Sequence, residues 1–468
     1  MSVYWKRSRI TKVLADAARV GSFSEAAARL DSIQLDVVVG DDQLGTPAGQ
    51  AAALTAVATA RKCFGRVTIV AERDAPLIAT LPLGKTLLKA ARRLGARVAT
   101  RPRTGATHTI RIGSTPTPAG WNLSCWWDRW LAGTRAFDDG PGDSRLALAG
   151  VFAGALAVRQ VFACVVANRN VPPRDATVSL WTPWERVDCS VNGPERFDVP
   201  DKLWLLGLGH LGQSFVWNLC LLGGNGDRLA VLQDDQKIGV ENEATSLLVL
   251  PHGRQIGKKK TKVADPWLEA SGWRTQLVER RHLGDVAITD EDPPYLLSGL
   301  DRLEPRLTLA RHGFPYMLDA GIGHGPGDFE GIQIRTIAKG QPIEGLWDKP
   351  KTADESTRNG LLSRQAYLEL ERHVGQCGTV EFAEASVAVP FVGAAAGALV
   401  IAQAIRLASL EPAPVFVQME LGAPEMTTLG GLIAQPEINL GSFSVRLEDR
   451  TPRPSIEHIR EAPAGGGA

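Results

Sequence analysis

Short apolar runs alternate with glycine-bearing turns and longer helical stretches, and the same order occurs twice along the chain. In the first occurrence Leu35-Asp-Val-Val-Val39 runs into Gly40-Asp-Asp-Gln-Leu-Gly45, then an Ala-rich stretch to about Lys62, then Arg66-Val-Thr-Ile-Val70. In the second, Lys202-Leu-Trp-Leu-Leu206 runs into Gly207-Leu-Gly-His-Leu-Gly212, then a helical stretch to about Leu222, then Arg228-Leu-Ala-Val-Leu232. Each reads as strand, glycine turn, helix, strand, the opening of a doubly wound α/β sheet. Late in each copy stands an Ala/Gly helix of similar wording, Ala153 to Val158 and Ala396 to Ile401. The pattern predicts an α/β protein of two Rossmann-like doubly wound halves in tandem, residues 1–195 and 196–450; a chance likeness of Ala-rich helices is the plain alternative. The span from Gly40 to Ala153 is 113 positions and that from Gly207 to Ala396 is 189, so the second copy carries extra material. The Pro- and Gly-punctuated segment from Trp181 to Pro200 marks the boundary, and residues 451–468, ending Gly-Gly-Gly-Ala, are expected to be a disordered tail.

Composition narrows the function classes. Lys+Arg 52 against Asp+Glu 51 leaves a net charge of +1, which argues against a dedicated nucleic-acid binder or a binder of anionic membrane. With 44% hydrophobic and 22% charged residues, pervasive disorder is excluded. Six cysteines in 468 residues are too sparse for a disulfide framework, and a reducing, cytoplasmic setting follows. The N-terminus has no signal-peptide pattern. The uncharged stretch from Ala385 to Ile405 approaches membrane-spanning length, but its Ala and Gly content, Pro390, Ser386 and Gln403 favour a buried helix.

Gly207-x-Gly209-x-x-Gly212 follows an apolar strand and opens a helix, the setting in which backbone N–H groups can approach a phosphate. Asp234, at the end of the next strand, could accept hydrogen bonds from ribose hydroxyls. These features alone fit a nicotinamide-dependent oxidoreductase as well as an ATP-using enzyme. The turn from Gly40 to Gly45 instead carries Asp41 and Asp42 where a phosphate would sit, so like charge opposes nucleotide binding and the first half reads as degenerate.

The residues after Asp234 separate the two classes. Asn242 stands eight positions on, Ile256-Gly-Lys-Lys-Lys260 follows, then Asp301 to Arg306, then Glu384-Ala-Ser-Val-Ala-Val-Pro390-Phe-Val-Gly393. Taken in this order the motifs resemble the ThiF/MoeB-type adenylating enzymes, the family that includes the activating enzymes of ubiquitin-like proteins. The resemblance implies a pseudo-dimer in which an inactive first half supports an active second half. It implies ATP and Mg2+ as cofactors, with Asp234 at the ribose, Lys260 at the phosphates, Asn242 orienting the triphosphate, Asp301 holding magnesium and Arg306 completing the catalytic element. The substrate would be the C-terminal glycine of a ubiquitin-like protein, and a separate conjugating enzyme would be the next partner. Fusion of two halves permits a monomer, while an arginine supplied between chains would require a homodimer. Bacterial relatives of this kind often serve conjugation in phage defence.

The sequence departs from that family at several points. Thr245 stands where the family has an arginine and Gln236 where it has a second aspartate. Arg254 is a candidate to restore the lost cation, which predicts that Arg254→Ala impairs ATP turnover more than Arg311→Ala. Relatives also borrow an arginine from the N-terminal helix of the other half, a role open to Arg7 or Arg9, for which a surface role is the competing reading. The family's paired Cys-x-x-Cys zinc ligands have no counterpart, so no zinc is expected; Phe382 falls near one of those positions. If a thioester forms, Cys377, in Gly375-Gln-Cys377-Gly beside His373 and Arg372, is the candidate nucleophile. Cys63, Cys164 and Cys220 read as core, and Cys125 and Cys189 are open. Two alternatives stand beside adenylation: a nicotinamide-dependent oxidoreductase, and an inactive scaffold with both halves degenerate.

Overall fold

The computed structural model describes residues 7–445 apart from 138–139, 189–191, 224–225, 286, 324–326, 348–354, 434–437 and 441–442. β-branched and leucine-rich runs, buried on both faces as parallel strands require, build two sheets. The first contains β1 (Gln34–Val39), β2 (Arg66–Val70), β3 (Arg97–Ala99), β4 (His108–Ile112), β5 (Trp121–Asp128), β6 (Leu131–Arg135) and β7 (Ala176–Ser179), in the order β3-β2-β1-β4-β5-β6-β7. The second contains β8 (Lys202–Leu206), β9 (Arg228–Gln233), β10 (Trp273–Val278), β11 (Tyr295–Ser298), β12 (Tyr316–Ile322) and β13 (Gly331–Ala338). It ends with β15 (Phe416–Glu420) and β16 (Thr428–Leu429), which follow the two-residue β14 (Ala413–Pro414), in the order β10-β9-β8-β11-β12-β13-β15-β16. Through the seventh strand the two orders coincide place for place. In each, five strands run parallel and the next two antiparallel. The fold is two Rossmann-like doubly wound halves, as the repeated strand, turn and helix signals predict.

The helices are α1 (Ser8–Asp16), α2 (Phe23–Ser32), α3 (Pro47–Cys63), α4 (Leu87–Arg93), α5 (Ala147–Ala167) and α6 (His210–Leu222). After them come α7 (Asn242–Thr245), α8 (Lys260–Ala270), α9 (Leu303–Ala310), α10 (Glu355–Leu362), α11 (Gln365–Glu384) and α12 (Pro390–Ala408). Helices α3, α5, α6 and α12 pack on one another and on both sheets. Small residues make that approach feasible: a Cβ at Gly150 of α5 would lie 2.0 Å from the Ala48 carbonyl oxygen of α3. Trp217 of α6 donates its indole N–H to Thr55 Oγ1 of α3 at 3.0 Å, a buried polar link between the halves. By length and composition α5 and α12 could each cross a membrane, but 83% and 94% of their most apolar stretches are buried inside the protein. The uncharged stretch read from Ala385 divides accordingly: residues 385–389 are not helical, and the helix begins at Pro390, an N1 position that suits proline.

The halves differ where material was added. From β6 the chain reaches α5 through residues 136–146, whereas from β13 it reaches α12 only after α10 and α11. The second sheet also gains α9, whose Leu309 closes a small core with Trp204, Leu206, Val231, Leu296, Phe314 and Met317. No helix lies between β4 and β5 in the first half, and Asp36 of β1 is fully buried and held by Arg103 Nε at 2.7 Å. The segment from residue 434 onward forms a separate unit in which Ile438–Leu440 pairs antiparallel with Phe443–Val445. The expected tail, 451–468, lies outside the described residues.

Candidate nucleotide site

At the C-terminal ends of β8, β9 and β11 the chain turns sharply three times. Gly207, with φ 83°, breaks β8. A Cβ at Gly212 would lie 2.0 Å from the Gly207 carbonyl oxygen, so only glycine lets α6 start this close to the strand. Helix α6 then opens at Gly209 with no side chain capping it among the described residues, leaving first-turn N–H groups and the positive end of the helix dipole facing outward. Gly299, after β11, closes the cradle from the other side: its own N–H donates to the Leu206 carbonyl at 2.9 Å, and a Cβ there would lie 2.8 Å from the Gly207 oxygen. The glycine pattern read from the sequence did not include Gly299, although a glycine directly after a strand and two residues before Asp301 was the available signal.

Asp234 ends β9 and braces the turn. Its carboxylate accepts the Leu208 N–H at 2.7 Å through one oxygen and the Gln236 N–H at 2.7 Å through the other. Each oxygen keeps a further lone pair. Asn242, at the start of α7, accepts the Gly239 N–H at 2.8 Å and so shapes the loop after β9. Lys260 begins α8, is buried, and donates to Gln236 Oε1 at 2.5 Å. An added Cβ on Gly209 would stand 3.8 Å from the Lys260 ammonium, which places this cation beside the open helix end. Gln236, where the resembled family has an aspartate, is thus the acceptor for Lys260. Arg254 is exposed on the loop leading to α8.

Asp301 is exposed beyond β11. Arg9, from α1 in the first half, comes close enough to sense both Asp301 and Glu241: burial lowers its pKa, and the two carboxylates oppose that. Arg9 also donates to the Ser386 carbonyl at 2.8 Å, tying the segment before α12 into the same place. Arg7 turns elsewhere, pairing with Asp31 at 2.5 Å. Arg306 is a tie within the sheet. It donates to the Leu300 and Ala320 carbonyls and pairs at 3.2 Å with Asp319, a fully buried carboxylate whose pKa burial raises against the opposing pull of Arg306.

Two groups in this region carry no sequence signal of their own. Lys62, at the end of α3, donates to the Glu243 and Val249 carbonyls at 2.7 and 2.8 Å, and burial pushes its amine down to about 7. His210, within the glycine turn, meets the Thr245 carbonyl through Nδ1 at 2.7 Å, and burial lowers it to about 4, which keeps the ring neutral. Its other face abuts α12, where a Cβ at Gly393 would come 2.4 Å from Nε2.

Cys377 lies on α11, two residues beyond a break at Gly375 (φ 76°), and is exposed. The other described cysteines are buried, and burial pushes the thiols of Cys63 and Cys220 up to about 12. Cys189 lies outside the described residues. His373 is paired with Glu369 at 3.0 Å. Phe382 packs edge-on against Phe23 of α2, ring centroids 4.9 Å apart.

Residues 34–180 match the model of the BilD N-terminal domain and residues 199–410 that of the BilD C-terminal domain. The bacterial E1-like protein BilD of Collimonas sp. (strain OK412) is 30% identical over 414 residues, 85% of this chain and 87% of that protein. Among solved structures, E. coli MccB with ATP is 14% identical with a TM-score of 0.32, covering 47% of this chain and 60% of that one. E. coli TcdA, a tRNA N6-threonylcarbamoyladenosine dehydratase, is 15% identical with a TM-score of 0.30, covering 44% and 85%.

Proposed function

Because this chain belongs to the BilD family, whose curated relative is an E1-like protein, we propose that it uses ATP to adenylate the C-terminal glycine of a ubiquitin-like protein. The observation that carries the reading is the convergence of the uncapped α6 N-terminus, Asp234 and Lys260 at one end of the second sheet. An open helix end and a buried ammonium suit a polyphosphate. The spare lone pairs of Asp234 suit ribose hydroxyls. The exposed carboxylate of Asp301 at a strand end fits a magnesium ligand, and the ion would supply charge neutralisation at the phosphates when bound.

The carboxylate of the partner's C-terminus attacks the α-phosphorus of ATP, forming a C–O–P mixed anhydride, and pyrophosphate departs. Two anions must approach each other, so preorganised positive charge matters most. Lys260 and the α6 N–H groups hold the phosphates in place. Arg9, delivered from the first half, takes the part left open by Thr245. A second step would follow at Cys377: its thiolate attacks the acyl carbon, the C–S bond forms, the C–O bond to phosphate breaks, and AMP leaves. A separate conjugating enzyme would then receive the acyl group, in a system that could serve antiviral defence in the cytoplasm.

Exchange of labelled pyrophosphate into ATP by the purified protein, with candidate ubiquitin-like proteins added one at a time, tests the reading. Exchange that requires both the partner and Asp301 supports it; exchange undiminished in Asp301→Ala, or nicotinamide binding in place of ATP binding, would remove it.

A further inference from the structure

Helix α1 is buried at every position but Arg9, yet it carries charged residues at 9, 12 and 16, the i, i+3, i+7 spacing that aligns them on one face. Arg9 reaches toward Asp301 and Glu241. One turn on, the Lys12 ammonium pairs with the Asp16 carboxylate, each side chain 2% exposed. The second Asp16 oxygen accepts the hydroxyl of Tyr367 from α11. Lys12 also stands 5.7 Å from the centre of the Tyr367 ring. A buried ion pair of this kind does little for stability against an apolar replacement, so its worth lies in where it fixes the helix. The same helix packs on α7, the turn that begins at Asn242. Tyr367 and Phe382 flank the Gly375 break in α11, and both rings meet Phe23 edge-on, at 5.4 and 4.9 Å.

We propose that Lys12, Asp16 and Tyr367 are positioning residues: they lock α1 against the part of α11 that precedes the Gly375 break, and by doing so set Arg9 in the nucleotide site. The inference rests on the nucleotide reading for the role of Arg9, but the lock itself is a matter of geometry. Tyr367 is fully buried and acts through Asp16 and the backbone of α1. Removing its hydroxyl leaves Lys12 and Asp16 paired with each other but unanchored to α11.

Two measurements on the full-length protein decide it. In the first, affinity for a fluorescent ATP analogue is measured for wild type, Tyr367→Phe, Arg9→Ala and the double variant. Tyr367→Phe weakens binding about threefold to tenfold, the size of one hydrogen bond to a charged group, and has less than about a twofold effect once Arg9 is gone. An equal effect on both backgrounds, or none on wild type, overturns the proposal. In the second, amide hydrogen exchange is followed across residues 8–16 without nucleotide. Tyr367→Phe accelerates exchange there at least about tenfold while leaving β8 unchanged; unchanged α1 exchange overturns the proposal. If wild type binds no ATP, the nucleotide reading fails, and the exchange measurement still decides whether α11 holds α1. Asp16→Asn, which also removes the carboxylate charge that balances the buried Lys12 ammonium, is expected to repeat both effects at least as strongly.

Discussion

The two glycine turns stand at equivalent places in two sheets of the same strand order, and they treat the helix that follows in opposite ways. In the first half Thr46 caps α3, its Oγ1 accepting the Gly49 N–H at 3.1 Å, and Asp42 accepts the Ser114 N–H at 2.9 Å. The first-turn N–H groups of Ala48 and Gly49 are thus taken, by the Ser144 carbonyl at 3.0 Å and by Thr46, and the Asp42 carboxylate stands in the turn. In the second half α6 begins uncapped, and the Lys260 ammonium would stand 3.8 Å from a Cβ on Gly209 at that helix start. The framework behind the turns is nonetheless shared. Gln50 donates to the Leu44 carbonyl at 2.7 Å and accepts the Ile78 N–H at 2.9 Å. Gln213 donates to the Leu208 carbonyl at 3.2 Å and accepts the Leu248 N–H at 3.1 Å. The first turn therefore keeps the same glutamine brace as the second while closing its helix N-terminus with a side-chain cap.

The sharpest way to break this comparison is Asp301→Ala. Loss of a phosphate-side carboxylate should cut partner-dependent pyrophosphate exchange by about a hundredfold or more, while the melting temperature stays put because Asp301 is exposed. Gly212→Ala and Gly49→Ala form the next pair, since a Cβ at either would meet a turn carbonyl, at 2.0 and 2.3 Å. Each should lower unfolding free energy by about 2–3 kcal/mol in urea titrations, yet only Gly212→Ala should also abolish ATP binding. Asp42→Ala inverts the Asp301 result: stability falls by about 1–2 kcal/mol and exchange persists. Nucleotide binding gained by the first half of that variant would show that the Asp42 carboxylate, and not the Thr46 cap, is what keeps a phosphate out.

A pH experiment probes the contact that joins the halves. Lys62 titrates near 7 in the fold against 10.5 as its ordinary value, so between those limits the unfolded chain binds more protons. The stability of wild type relative to Lys62→Met should accordingly rise as pH increases from about 7 toward 10.5 and be flat below about 7. A difference independent of pH would mean that the amine is not desolvated at the Glu243 and Val249 carbonyls. The smallest effect expected is at Arg254: Arg254→Ala should reduce turnover only about twofold to fivefold, as exposed cations do, but more than Arg311→Ala. Equal effects would mean that Arg254 adds nothing to the cation that Arg9 supplies in place of the one missing at Thr245.

Much of the site was legible because it is local. A strand, a glycine, a helix and an acid at the end of the next strand are consecutive in the chain, and backbone sterics link their spacing to their geometry. The segment from Trp181 to Pro200 runs between β7 and β8, and Arg406 of α12 lies 5.1 Å from the Trp181 ring. Arg306 shows the limit. Its spacing from Asp301 carries the family pattern, but only the packing of β12 reveals that Asp319, Leu300 and Ala320 engage it.

What the sequence determined by itself was the repeated strand–turn–helix order, the charge that closes the first turn, the glycines of the second, and the extra material around Cys377. Periodicity and turn chemistry act between neighbours, so they can be read in one dimension. The tertiary structure alone decided that Arg9 and not Arg7 enters the second half, that Lys62 crosses beneath the Asn242 turn, and that Phe382 meets Phe23. Each of those meetings joins residues far apart in the chain, and which side chain arrives depends on how small residues let α3, α5, α6 and α12 close on one another, a packing solution that no local pattern encodes.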